Sequence, residues 1–295
     1  MSEAPVSRGV YKFAVFALAI GAFAIGVTEF ATMGLLPMIA EELGITVPQA
    51  GHAVSFYAIG VVVGAPLITT IAAHMDRKLL LLCLMGLFAL GNLASMLAPT
   101  AGLFNIARFV SGLPHGAYLG IGAVVAASLV PANRRGRAMS RVMLGLTIAN
   151  IFGVPFATAL GNLLGWRSAY TLVAALGVLT VIMVAIAVPR VQLGSAPSAR
   201  GEMKAIARPQ IILTLLAGSV GFGGMFAVYT YVAPTMTDVA GVPGTAIPWV
   251  LAVYGLGMTA GSLIAGPLVD KSIERSATGG MILSALVLAA FGAFT

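Results

Sequence analysis

Four side chains able to do ionic or acid–base chemistry interrupt otherwise apolar stretches of this sequence. Glu29 stands alone in one stretch, and Arg108, Ser111 and His115 follow each other at intervals of three and four in another. An ionisable group inside such a stretch is expensive unless paired or hydrated, and marks a functional position by default. Arg108, Ser111 and His115 share a helical face. Glu29 lies seven residues before Leu36 and Arg108 seven after Ala101, about 10 Å from the same end of their helices at 1.5 Å per residue. An ion pair between them is therefore expected. A carboxylate whose partner and hydration change between conformations holds its proton differently in each. Histidine changes charge near neutral pH. Glu29, Arg108 and His115 are thus candidates for proton coupling. A static ion pair that only orders helices, with a histidine hydrogen-bonded between them, is the alternative.

The elements that carry these groups follow from composition. Of 295 residues, 59% are hydrophobic and 8% charged, with a mean hydropathy of +1.02. A soluble domain carries about 25% charged residues, so a soluble enzyme, a nucleic-acid-binding protein and a disordered chain are excluded. Nine apolar runs stand out: residues 13–36, 53–73, 79–97, 101–130, 142–164, 169–188, 211–232, 247–269 and 279–295. A membrane-crossing helix needs about 20 such residues, and none of the runs alternates as a barrel strand would. The first is longer than the core of about 7–15 residues in a signal peptide. An all-α, multi-pass membrane protein is expected. With the N-terminus in the cytoplasm, fourteen of the 16 basic residues fall in cytoplasmic segments, while Glu41, Glu42 and Asp238 fall outside. That asymmetry predicts a cytoplasmic N-terminus.

After six runs comes the longest polar connection, residues 189–209, rich in Gly, Ser, Pro and charges of both signs, as in a flexible linker. The flanking parts echo each other. Tyr57, Gly60 and Gly64 in the second run match Tyr254, Gly257 and Gly261 in the eighth, and each set precedes an acid–base pair, Asp76–Arg77 and Asp270–Lys271. Repeats of this kind build many secondary transporters, with the substrate between the halves. Residues 1–188 read as a six-helix bundle, and 210–295 as an incomplete second bundle of about three spans. The chain stops inside the ninth run, so a C-terminal truncation is expected.

Four stretches carry a family resemblance: residues 19–30 running on to 33–37, the turn 73–78 with its second copy 266–271, residues 108–116, and residues 145–155 ending in 165–167. They resemble the major facilitator superfamily, which is itself an instance of this repeat logic. Within it they resemble the drug/proton antiporter branch, close to bacterial arabinose-efflux-permease-like exporters. The first loop copy departs from the family pattern, with Ala72 where a glycine belongs; the second copy has it, at Gly266. The resemblance implies a helical bundle in a bacterial inner membrane, proton coupling at Arg108, and gating by Asp76, Arg77, Asp270 and Lys271. Solvated loop charges, worth little each, are the competing view of those four. Gly145, Gly153 and Pro155 match a signature of exporters. Physically, small residues permit close helix approach and proline permits a bend, so ordinary packing is the alternative there. Asn150, Tyr229 and Tyr231 are candidates to bond a polar substrate in an apolar pocket.

Together these readings predict a secondary active transporter, driving efflux of a small solute (sugar, drug or metabolite) by proton exchange and alternating access. A non-transporting truncated remnant is the alternative, and a membrane scaffold a weaker one. HExxH, GxSxG and Walker A patterns are absent from the sequence, so no enzyme is expected. Nor is a cofactor or a metal site; protons are the coupling ion. The expected partners are a small-molecule substrate and the lipid bilayer, without nucleic acid, and the complete protein is expected to be a monomer.

Overall fold

The computed structural model describes residues 7–72, 75–190 and 208–294. The described residues are helical, without strands, and nine of their helical stretches are long and apolar enough to cross a membrane. The predicted linker lies mostly in 191–207, outside the described residues, as do the side chains of Asp270 and Lys271.

Local signals set the helix ends. Helix α1 (Arg8–Gly34) begins where the Ser7 hydroxyl accepts the Val10 N–H, and it breaks at Leu35 into the short α2 (Leu36–Leu43), which has Pro37 in its first turn. A left-handed Gly44 (φ 64°) ends α2, and a Thr46–Gln49 capping box starts α3 (Val47–Ile71), satisfying amide groups that have no partner within the helix. Asp76 caps α4 (Arg77–Leu97), accepting the Leu79 N–H at 2.9 Å. The fourth span is two helices, α5 (Ala101–Gly112) and α6 (His115–Ser128), joined through Leu113 and Pro114. The fifth is α7 (Arg135–Ile148), a π turn at Ala149–Gly153, and α8 (Val154–Leu164). The π turn hands Val154 N–H back five residues to the Ala149 carbonyl, just ahead of Pro155, which has no N–H to give. Helix α9 (Arg167–Ala187) follows Gly165, and α10 (Pro209–Thr230), α11 (Ile247–Lys271) and α12 (Ile273–Phe294) complete the described chain.

The first six spans pack on one another, α1 chiefly against α7 and α9, α3 against α5, and α4 against α5 and α9. Polarity is inverted relative to a soluble fold. Thr28, Thr32, Asn92, Arg108 and Ser111 are buried, while Phe16, Val62, Leu90, Phe152 and Ile186 face outward. That is the arrangement expected where lipid is the solvent.

Contacts from the first six spans to α10 and α11 cluster in the middle and at the end of the bundle away from Arg8. Asn162 donates to the Gly244 carbonyl at 3.2 Å, Gly34 faces Leu251, and Gly255 lies on the Asn150 carbonyl. At the same end Arg167 pairs with Glu42 and donates to the Ala98 carbonyl. Toward Arg8 a groove of about 460 Å³ runs between α1 and α7, lined by Tyr11, Val15, Phe16, Phe23, Arg141 and Leu144.

Candidate functional site

The polar centre is built on Arg108. It is 0% exposed, yet no carboxylate of a described residue lies within ion-pair distance of it. Its charge is held by neutral groups instead. Nη1 donates to Thr28 Oγ1 at 2.8 Å and, at 3.5 Å, to Ser111 Oγ; Nη2 donates to the Thr28 carbonyl at 3.1 Å. Tyr57 lies with its ring centroid 4.3 Å from the guanidinium carbon, and Tyr170 at 5.5 Å. A desolvated cation against an aromatic face gains about 2 kcal/mol, and a hydrogen bond from a charged donor is worth about 1.5–3 kcal/mol. Further hydrogen bonds fix the holders. Thr28 Oγ1 donates to Asn92 Oδ1 at 2.6 Å, Asn92 Nδ2 to the Phe88 carbonyl, and Thr32 bonds the Tyr170 hydroxyl at 2.8 Å. The guanidinium Nε has no protein partner among the described residues.

This corrects the expected Glu29–Arg108 ion pair. The depths agree, but successive residues of a helix point about 100° apart, and it is Thr28, not Glu29, that faces α5. Glu29 stays half-buried on the neighbouring face, within electrostatic range of Arg108, Tyr57 and Tyr229. His115 is separated from Arg108 by the helix break and meets Tyr57 instead, its Nδ1 2.8 Å from the phenol oxygen. Asp76, assigned to gating by the resemblance, makes no ion pair among the described residues and accepts from the backbone of its own helix instead, because an aspartate three residues before a free amide is already a good cap. Arg77 is the first residue of that helix. Asp270 and Lys271 end α11, with side chains outside the described residues.

In the fifth span, a Cβ on Gly145 would collide with the Ala19 carbonyl, and one on Gly153 with Val27 and the Phe23 ring, so both glycines lie directly against α1. Pro155 falls in the first turn of α8. Asn150 lies in the π turn, donating to the Leu146 carbonyl at 3.1 Å, while its Oδ1 has no partner among the described residues. Tyr229 joins an aromatic cluster with Phe30, at 5.5 Å between centroids, and Tyr254, at 4.2 Å. Phe226 stacks on Phe30 at 5.7 Å. Tyr231 is not part of that cluster; its hydroxyl lies against Gly51 of α3. Sequence reasoning passed over Thr28, Thr32 and Tyr170 as site residues. The signal for the first two was a pair of hydroxyls spaced by four on α1.

A bundle of membrane-spanning helices with a buried, hydrogen-bonded cation at its centre and aromatic side chains where the two parts of the chain meet has the construction of a secondary transporter. Residues 18–295 match the family model described as Major Facilitator Superfamily, and the chain belongs to that family. It is 39% identical over 279 residues to the inner membrane transport protein YdhP of Escherichia coli K12, covering 95% of this chain and 72% of YdhP. It is 35% identical to the chloramphenicol resistance protein of Streptomyces lividans, covering 87% of this chain and 67% of that one. A bacterial homologue of the human lysosomal transporter Spinster, solved in an inward-facing and unoccupied conformation, has the same fold. Its TM-score is 0.75 at 16% identity, over 92% of this chain and 64% of that one.

Proposed function

We propose that this protein exports a small solute in exchange for protons, by alternating access between the bundle of residues 1–188 and the spans from 210 onward, with its N-terminus in the cytoplasm. The observation that carries the reading is a buried guanidinium with no carboxylate partner among the described residues, one residue's turn away from Glu29. Every other Asp or Glu lies outside the apolar spans or close to an end of one, so Glu29 is the carboxylate positioned to exchange a proton inside the bundle. A protonated Glu29 is neutral and tolerates its apolar surroundings. An ionised one needs a cation, and Arg108 is within electrostatic range. Moving Arg108 from Thr28 to Glu29 would shift α5 against α1, coupling proton exchange to helix movement. His115 would influence this exchange through Tyr57. Tyr229, within electrostatic range of Glu29, and Asn150, whose Oδ1 has no partner among the described residues, are proposed to contact the solute. The likeness to a resistance protein supports export.

The test uses everted membrane vesicles containing the protein, with radiolabelled chloramphenicol and pentoses as probes. Respiration should drive uptake of at least one probe, and an uncoupler should abolish it. Glu29→Gln should remove the response to a pH gradient while leaving folded protein in the membrane. Uptake by Glu29→Gln with the parental dependence on the gradient would refute the coupling role. Fusion of a periplasmic reporter enzyme to the N-terminus should give an inactive fusion; an active one would overturn the orientation.

A further inference from the structure

The Tyr57, Gly60, Gly64 pattern has a structural purpose. A Cβ on Gly60 or Gly64 would run into the Phe109 and Leu113 carbonyls, and one on Gly112 into the Tyr57 carbonyl. Three glycines therefore bring the backbones of α3 and α5 together with no side chain between them, as small residues do in membrane helices. That approach leaves Tyr57, buried at 3% exposure, directly over Arg108. The ring cannot swing freely, because its hydroxyl bonds His115 Nδ1 at 2.8 Å and the two rings meet edge-on at 5.8 Å. Tyr170, the second ring on the guanidinium, is likewise pinned through its hydroxyl, by Thr32.

We propose that Tyr57 is a positioning residue for Arg108: anchored by His115, its ring holds the guanidinium on Thr28 and off Glu29, and releasing the Tyr57–His115 hydrogen bond frees the cation to reach the carboxylate. A neutral imidazole with its hydrogen on Nε2 accepts the phenol O–H at Nδ1, whereas one carrying hydrogen on Nδ1 donates it to the phenol oxygen, so the bond reverses with the tautomer and is lost only when the two rings move apart. Losing the bond lets the ring turn about its own side-chain torsions, and the attraction between ring face and cation, which depends on that orientation, goes with it. The proposal rests on the proton-coupled reading for its purpose, but its geometry stands independently.

The experiment has two arms. In the first, protein labelled with ¹⁵N-arginine is placed in lipid nanodiscs, and the Arg108 guanidinium signal is assigned by its absence in Arg108→Lys. A ring lying on the guanidinium displaces that signal upfield. Tyr57→Phe keeps the ring and loses the anchor; His115→Ala removes the acceptor; His115→Asn keeps a side-chain oxygen near the position of Nδ1. The expected result is loss of the upfield displacement in Tyr57→Phe and His115→Ala, with recovery in His115→Asn. In the second arm, proton-driven chloramphenicol uptake is compared with chloramphenicol counterflow, which needs no net proton movement. Tyr57→Phe should change the ratio of the two, whereas a variant that is merely less stable lowers both together. An undisplaced signal in the parent, or an unchanged signal in both Tyr57→Phe and His115→Ala, overturns the proposal. Failure of the parent to couple uptake of either chloramphenicol or a pentose to protons overturns the functional reading instead, and leaves the first arm to decide the positioning role.

Discussion

Thr28→Val isolates the hydroxyl on which the buried cation depends. Valine keeps the shape of threonine, so the change removes hydrogen bonds and little else. Thr28 Oγ1 accepts from Arg108 Nη1 at 2.8 Å and donates to Asn92 Oδ1 at 2.6 Å. The first is a bond from a charged donor, worth about 1.5–3 kcal/mol, and the second a neutral one worth about 0.5–1.5 kcal/mol. Against this, hydrogen bonds between membrane helices average only about 0.6 kcal/mol, because an unfolded chain in lipid finds other partners. The charged bond should exceed that average, since a guanidinium at 0% exposure has no water to turn to. Arg108 keeps the Thr28 carbonyl at 3.1 Å and a long contact to Ser111, so the loss is partial. The balance is a destabilisation of about 2 kcal/mol. Unfolding in mixed detergent micelles can be followed by tryptophan fluorescence. Trp166 is 1% exposed against Phe104 and Tyr170, beside α5 and α9, while Trp249 is 76% exposed and changes little. Asn92→Leu added to Thr28→Val should cost about 1 kcal/mol less than Asn92→Leu alone, because the unpaired amide is already present. A Thr28→Val protein within about 0.5 kcal/mol of the parent would refute the account of how Arg108 is held.

Other substitutions test the scaffold. Gly165 connects α8 to α9 with φ 86° and ψ 149°, a region essentially confined to glycine, so Gly165→Ala should cost about 1–3 kcal/mol in the same assay. Gly145→Ala sets a methyl against the Ala19 carbonyl, with Phe23 N 2.8 Å and Ala22 Cβ 2.9 Å away, and should cost about 1–3 kcal/mol as overpacking. Gly136, on the same helix with nothing within 4 Å of a new Cβ, provides the contrast; Gly136→Ala should stabilise by about 0.4–1 kcal/mol.

The spans were legible because apolar length is a one-dimensional signal, and all nine runs coincide with helices. Depth was legible too: Glu29 and Arg108 do lie near one level. Azimuth was not. Which of Thr28 and Glu29 faces α5 depends on how α1 is rotated in the bundle, and that is set by contacts with α7 and α9 far away in sequence. Of Arg108, Ser111 and His115, the side chains of the first two meet, while His115, beyond the break at Leu113 and Pro114, shares with Arg108 only the Tyr57 ring that both of them touch. Asp76 illustrates a local signal outweighed by a distant expectation; a cap was readable from its place before a helix. Tyr57 was visible as part of a repeat, but its role needed the position of α5.

The π turn at Ala149–Gly153 also governs which changes of length the fifth span can absorb. Eight residues separate Gly145 from Gly153, and in an uninterrupted α-helix they would point about 80° apart. Both nevertheless lie on α1, because the wider turn takes up roughly one extra residue and brings the second glycine back into line. Within those five positions, loss of a single residue would convert the turn to regular α-helix and leave both flanking faces oriented as before. The same deletion a turn earlier, in α7, would swing everything on one side of it by about 100° and set bulky side chains where Gly145 now meets Ala19. Tolerance to deletion should thus be confined to one narrow window of this helix.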